Sequence, residues 1–172
     1  MNIADYKKFD VLNGRGLRNS LFTSGCTHRC KGCFNAATWS FDYGFPYTRE
    51  FEDQVIADFQ VEGIRVAGLS LLGGEPFQNV DGLLGLVRRV RAECPGKDIW
   101  IWSGYTFEEI LADATRTELL AYCDVLIDGK FVLERRNLKL KWRGSENQRV
   151  LDVRESFRKR TAVRLKLDRD GL

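Results

Sequence analysis

Thr23-Ser24-Gly25-Cys26-Thr27-His28-Arg29-Cys30-Lys31-Gly32-Cys33-Phe34-Asn35 carries three of the chain's five cysteines, spaced C-x3-C-x2-C. Thiolates packed this closely repel one another unless a metal takes up their charge. Such soft ligands suit zinc, copper(I) or iron–sulfur. Ferredoxin spacings give each four-iron cluster four thiolates; this loop offers three. A cubane held by three thiolates keeps an open position on one iron, and an open position separates a catalytic metal site from a closed structural one. The competing reading is a structural zinc site completed by a distant cysteine or by His28, the only histidine. For His28 the expected role is at the loop surface or in a hydrogen bond.

The flanking patterns place this loop on a sheet. Leu17 to Thr23 reads as a core strand that delivers the chain into it. Val66 to Leu72 is a short apolar run closed by Gly73-Gly74-Glu75-Pro76, a buried strand followed by a tight turn. Asp98 to Trp102 and Val125 to Ile127 read as further strands, the latter ending at Asp128-Gly129-Lys130. Ala4 to Leu12 reads as an edge strand, Arg149 to Val153 as a last strand, and the alternation of Val163, Leu165 and Leu167 as a further edge. Between them lie helical patterns: one capped by Thr48, one over Val80 to Glu93 stopped by Pro95-Gly96, and two short ones opened by Thr106/Glu109 and Thr115/Glu118.

Strands alternating with helices predict an α/β fold with a mainly parallel sheet. A closed eightfold barrel takes ~250 residues. At 172 residues the chain has room for five or six units, hence an open partial (β/α)5-6 barrel. Ligands of such sheets sit beyond the carboxyl ends of the strands. Cys26, Gly73, Ser103 and Asp128 all fall just past proposed strand ends, so four segments are expected to meet on one rim.

With Phe34 after the last cysteine, the loop resembles the signature of the radical S-adenosylmethionine (SAM) enzymes. Gly73-Gly74-Glu75-Pro76 resembles their G-G-E-P element. Trp102-Ser103-Gly104-Tyr105-Thr106, Asp124 to Phe131, and Arg143-Gly144-Ser145 with Asn147-Gln148-Arg149 are similar to segments of one subfamily. These are the small activases of the anaerobic (class III) ribonucleoside-triphosphate reductase. The match runs from Gly14 to about Val153.

The resemblance implies one [4Fe–4S] cluster on Cys26, Cys30 and Cys33, with SAM chelating the open iron. Reductive cleavage of the sulfonium would give methionine and a 5′-deoxyadenosyl radical, which takes hydrogen from a glycine of the reductase. Reduced flavodoxin or a similar carrier is the implied electron donor. Gly32 would let the chain turn near the cofactor, and Phe34 would lie beside the adenine. Gly73, Gly74 and Glu75 would receive the ammonium of SAM, because glycines let backbone carbonyls approach a ligand. Ser103 would bond the carboxylate or ribose, Asp128 would hold a cation or orient a polar group, and Lys130 would pair with the carboxylate as a point charge. Cys94 and Cys123 lie in or beside apolar helical patterns and read as structural. The rivals are a pyruvate formate-lyase-type activase, a small deazaguanine-pathway synthase, and a non-enzymatic zinc- or cluster-binding regulatory module. The R-G-S-x-N-Q-R segment argues against the first two.

Composition is that of a folded chain, with 44% hydrophobic and 30% charged residues. The length suggests a single domain over 1–172, with a basic C-terminal extension from about 153. The net charge of +3 singles out no partner. Basic residues from Arg135 to Arg160 lack the interleaved aromatics of a nucleic-acid surface, so nucleic acid is not expected. No apolar run approaches the ~20 residues of a membrane helix. The N-terminus has no apolar leader, and clustered thiols suit a reducing compartment, so the expected location is cytoplasmic.

Overall fold

The structure is a computed structural model and describes residues 1–166. The elements in chain order are β1 (Asn2–Asp10), β2 (Arg18–Thr23), β3 (Phe45–Pro46), α1 (Arg49–Ala57), β4 (Gly68–Gly73), α2 (Val80–Glu93), β5 (Asp98–Trp102), α3 (Phe107–Leu111), α4 (Ala114–Ala121), β6 (Val125–Asp128), β7 (Arg149–Asp152) and α5 (Val153–Lys159). All seven strands enter one open sheet in the order β3-β1-β2-β4-β5-β6-β7.

β2, β4, β5 and β6 run parallel. Each junction between them is a helical crossover, which is what a parallel pair requires. The expectation of five or six such units is corrected to three crossovers. β1 and β7 pair antiparallel with their neighbours. The reason is the connections. Residues 11–17 join β1 to β2 without a helix, and residues 129–148 contain only a 3-10 turn at Leu133–Arg135. Neither link returns the chain to the starting end of the sheet. The strand read as Ala4 to Leu12 begins at Asn2 and is not the edge, because Phe45 and Pro46 pair outside it.

Side chains alternate across the sheet. Leu69, Leu71, Ile99, Ile101 and Leu126 face the helices and share one core with Leu83, Leu86, Val87 and Val90 of α2 and Phe107 and Ile110 of α3. Trp100, Val125, Ile127 and Val150 form a second cluster with Trp102 and Trp142. On that side Arg18 is fully buried. Its guanidinium donates to Ser70 Oγ at 2.7 Å, Asp98 Oδ1 at 2.6 Å and the Leu69 carbonyl at 2.8 Å, with Trp100 beside it. Burial pushes its pKa down against the pull of Asp98. Arg18 and Asp98 open β2 and β5, so this staple closes the end of the sheet opposite the cysteine loop.

Helix starts follow the sequence with one correction. Thr106 and Glu109 form the expected capping box, with contacts of 3.2 and 2.7 Å. We expect Thr106→Ala to lower stability by about 1 kcal/mol in urea unfolding; an unchanged midpoint would contradict the cap's role. α4 is capped by Asp113, whose Oδ1 accepts from Arg116 N at 3.0 Å, and not by Thr115. An Asp two residues earlier offers the same acceptor to the helix start. Val153 opens α5 instead of ending β7. The chain then returns along β7, with Asp152 N donating to Val163 O and Leu165 N to Val150 O. Leu167 lies outside the described residues.

Candidate iron–sulfur site

β2 ends at Thr23 and the chain turns through the cysteine loop, with positive φ at Gly25 (93°), Arg29 (46°) and Gly32 (73°). Arg29 is the one L-residue among the three, in a backbone region that side chains disfavour. These turns aim amides at sulfur. The Cys26 thiol is approached by the His28 and Arg29 amides, the Cys30 thiol by the Phe131 amide, and Cys33 Sγ by Asn35 N at 3.4 Å. Burial pushes the Cys26 and Cys30 thiols up while these amides pull them down. Lys130 adds a further downward pull at Cys30. All five cysteines are free.

The donor set fits an iron–sulfur cluster: three soft thiolates, each met by N–H groups of the kind that tune cluster potential. Among the described residues, no three His, Cys, Asp or Glu side chains converge on one ion-sized point. A cubane takes one thiolate per iron, so its ligands surround it. His28 Nε2 lies 3.0 Å from Glu75 Oε2. The hydrogen-bonding role expected of His28 is thus the one observed.

The G-G-E-P turn is pressed against the same loop. A Cβ on Gly73 would lie 2.7 Å from Thr23 N, and one on Gly74 2.5 Å from Gly25 O. Gly74 N donates to Thr23 O and Glu75 N to Gly25 O. Glu75 is 1% exposed. Its Oε1 accepts from Phe77 N at 3.0 Å and Ser103 Oγ at 2.9 Å; its Oε2 faces His28 Nε2 and accepts from Gly104 N at 2.7 Å. The Ser103 hydroxyl, donating there and accepting from Tyr105 N, is used within the protein.

Asp128 is also buried and committed. Its carboxylate accepts from Phe107 N, the first residue of α3, at 2.7 Å and from both sides of the Arg149 guanidinium. The cation it holds is Arg149, the last residue of the R-G-S-x-N-Q-R segment, a pairing that the sequence reading did not make. Lys130 is exposed near Cys30, and its carbonyl accepts from Asn147. Phe34 is 59% exposed, with Phe131 at 5.2 Å and Arg136 over its ring. A Cβ on Gly32 would lie 2.9 Å from Leu133 Cδ1.

The R-G-S-x-N-Q-R segment holds this wall together. Gln148 Oε1 accepts from Gly144 N, and Gln148 Nε2 donates to Gly129 O. Ser145 Oγ accepts from Val132 N. Gly144 lets the Phe34 and Phe131 rings approach the backbone.

Of the residues read from sequence, Cys26, Gly73, Gly74, Glu75 and Ser103 meet at the ends of β2, β4 and β5. Lys130 and Phe34 line the neighbouring wall, and Asp128 turns inward to α3. Two contributors were missed. Gln78 Nε2 donates to Thr27 Oγ1 at 2.8 Å and Tyr105 OH at 2.9 Å, and Asn79 Nδ2 donates to Ser24 O at 3.0 Å. Polar side chains two and three residues after G-G-E-P were the available signal. Cys94 and Cys123 are buried away from the loop, and burial pushes both thiols up.

Residues 12–151 match the family described as a 4Fe-4S single cluster domain, which gives the class that the thiol loop defines. Among curated proteins, the chain is 51% identical over 150 residues to an anaerobic ribonucleoside-triphosphate reductase-activating protein of Vibrio cholerae, covering 86% of this chain and 96% of the relative. It is 47% identical over 156 residues to that of Escherichia coli K12 (90% and 100% covered), and 42% over 143 residues to that of Enterobacteria phage T4 (82% and 87%). The chain belongs to the anaerobic ribonucleoside-triphosphate reductase-activating protein family.

Proposed function

We propose that this protein is an iron–sulfur activase that cleaves SAM reductively and generates a glycyl radical on the anaerobic ribonucleoside-triphosphate reductase. The observation that carries it is the loop of three free thiols, with amides aimed at the sulfurs, braced against the carboxyl-end rim of four parallel strands. The relatives' names support the reductase as the target. When bound, the cluster supplies one electron to the SAM sulfonium, giving methionine and a 5′-deoxyadenosyl radical.

The chain's own residues bind and orient. Cys26, Cys30 and Cys33 would hold the cluster, offering three thiolates to its four irons. Backbone carbonyls of the Gly73–Gly74 turn would receive the SAM ammonium, and the exposed Lys130 would offer a point charge to its carboxylate. Phe34 and Phe131 form the apolar wall for the adenine, with Gly32 keeping that side of the loop close. Ser103 and Asp128 act by holding the rim, since their polar atoms are already bonded. The open sheet is read as a partial barrel of the radical-SAM type, whose unclosed side admits a glycine loop of the partner. Glycine suits the chemistry: its Cα radical is delocalised by the flanking amides, and no side chain blocks approach. A small acidic one-electron carrier such as reduced flavodoxin is the donor we expect. No helix of the described residues is long and apolar enough to cross a membrane; a reducing cytoplasm is the compartment in which three free thiols persist.

The test is anaerobic: load iron and sulfide, reduce, add SAM and measure 5′-deoxyadenosine. Slow product formation by the isolated protein is expected. Zinc retained in place of iron, with no product, would favour the regulatory module.

A further inference from the structure

We infer that Glu75 and His28 form a clamp that positions the cysteine loop, and that Glu75 acts through this loop and not as a direct acceptor for the SAM ammonium. The inference rests on the iron–sulfur reading above and concerns one motif within it. A carboxylate offers about four lone-pair sites. At Glu75 four partners address them: Phe77 N, Ser103 Oγ, Gly104 N and His28 Nε2. The Phe77 and Gly104 amides and the Ser103 hydroxyl donate to it, and His28 Nε2 stands at hydrogen-bond distance from Oε2. A ligand ammonium would have to displace one of them from a group that is 1% exposed.

The other half of the clamp is the loop. Residues 27 and 28 lie between Cys26 and Cys30, and both are gripped from the turn that follows β4. Thr27 N donates to Gln78 Oε1 at 3.0 Å while Gln78 Nε2 donates back to Thr27 Oγ1. The His28 ring stands edge-on to Tyr105, with centroids 4.5 Å apart. A Cβ on Gly104 would lie 2.4 Å from His28 Cδ2. The glycines of the turn serve the same fit, since side chains there would strike Thr23 and Gly25. The motif thus braces the segment that carries two thiolates against β4 and β5.

Partners that orient metal ligands typically matter by 10–100-fold in metal affinity or activity. The clamp therefore predicts that Glu75→Gln and His28→Gln each speed loss of iron to a chelator by about tenfold or more. Each also alters the EPR spectrum of the reduced cluster before SAM is added. The double variant should be no worse than the more severe single one, since both remove one contact. Gly104→Ala, which displaces the ring and keeps the carboxylate, should mimic His28→Gln. Circular dichroism of the apo proteins reports folding; should Glu75→Gln misfold, the other two variants decide the question. A raised KM for SAM in Glu75→Gln, with the SAM-free spectrum and chelation rate unchanged and His28→Gln silent, would overturn the clamp alone. A wild-type protein that takes up no cluster would overturn the underlying reading and the clamp with it.

Discussion

Cys30→Ala is expected to yield a folded protein that holds no stable cluster and forms 5′-deoxyadenosine only at background. Cys30 lies mid-loop with its sulfur facing the Phe131 amide, and its removal leaves two thiolates for four irons. Its thiol is half-exposed, so truncation opens no sealed cavity, and the apo protein should melt close to wild type. Cys123→Ala is the contrasting control. Cys123 is buried behind α4, with its Sγ donating to Leu119 O, and its loss should leave the cluster in place. Iron and sulfide content distinguishes the two. Full iron in Cys30→Ala, or loss of iron from a folded Cys123→Ala, would contradict the assignment of ligands.

Asp98→Ala is expected to be strongly destabilising, by about 1.5–3 kcal/mol, the range for a charge-assisted hydrogen bond. It strips the charge partner from a guanidinium that is 0% exposed, and removes the acceptor of Trp100 Nε1 at 3.0 Å. Arg18 is the buried member while Asp98 is 41% exposed, so water entering at the vacated position offsets part of the loss. Arg18 keeps its bonds to Ser70 and Leu69, which sets the lower end of the range. For a chain of this size the midpoint of thermal unfolding should fall by roughly 3–12 °C. Because this staple lies at the end of the sheet opposite the thiols, iron content at low temperature should be unchanged. A shift of under about 2 °C would show that water or a neighbouring acceptor already satisfies Arg18.

What the sequence disclosed divides by range. α2 and β5 fall where apolar periodicity and the Pro95-Gly96 stop put them. The Thr106 cap was equally legible, because a capping box needs only residues three apart. The four rim segments were legible because strand-end motifs in an α/β sheet share one side. Strand direction at the margins was not. β7 pairs antiparallel because the 129–148 link holds no helix, and its polar, irregular composition gives no direct sign of where it leads. Side-chain commitment was the other gap. The partners of Glu75 within the chain come from residues 28, 77, 103 and 104, which its motif does not announce. Asp128 looked like a cation site, and its cation is Arg149, 21 residues away. Such pairings depend on which strands become neighbours, and local pattern carries none of that.

The activase reading is tested most directly by EPR on the partner. The reduced, cluster-loaded protein would be mixed anaerobically with SAM and the purified anaerobic reductase, and the reductase examined for a glycyl radical. The account predicts a doublet that requires both SAM and this protein, grows in step with 5′-deoxyadenosine, and is absent with Cys30→Ala. Release of 5′-deoxyadenosine with no radical on the reductase would contradict it.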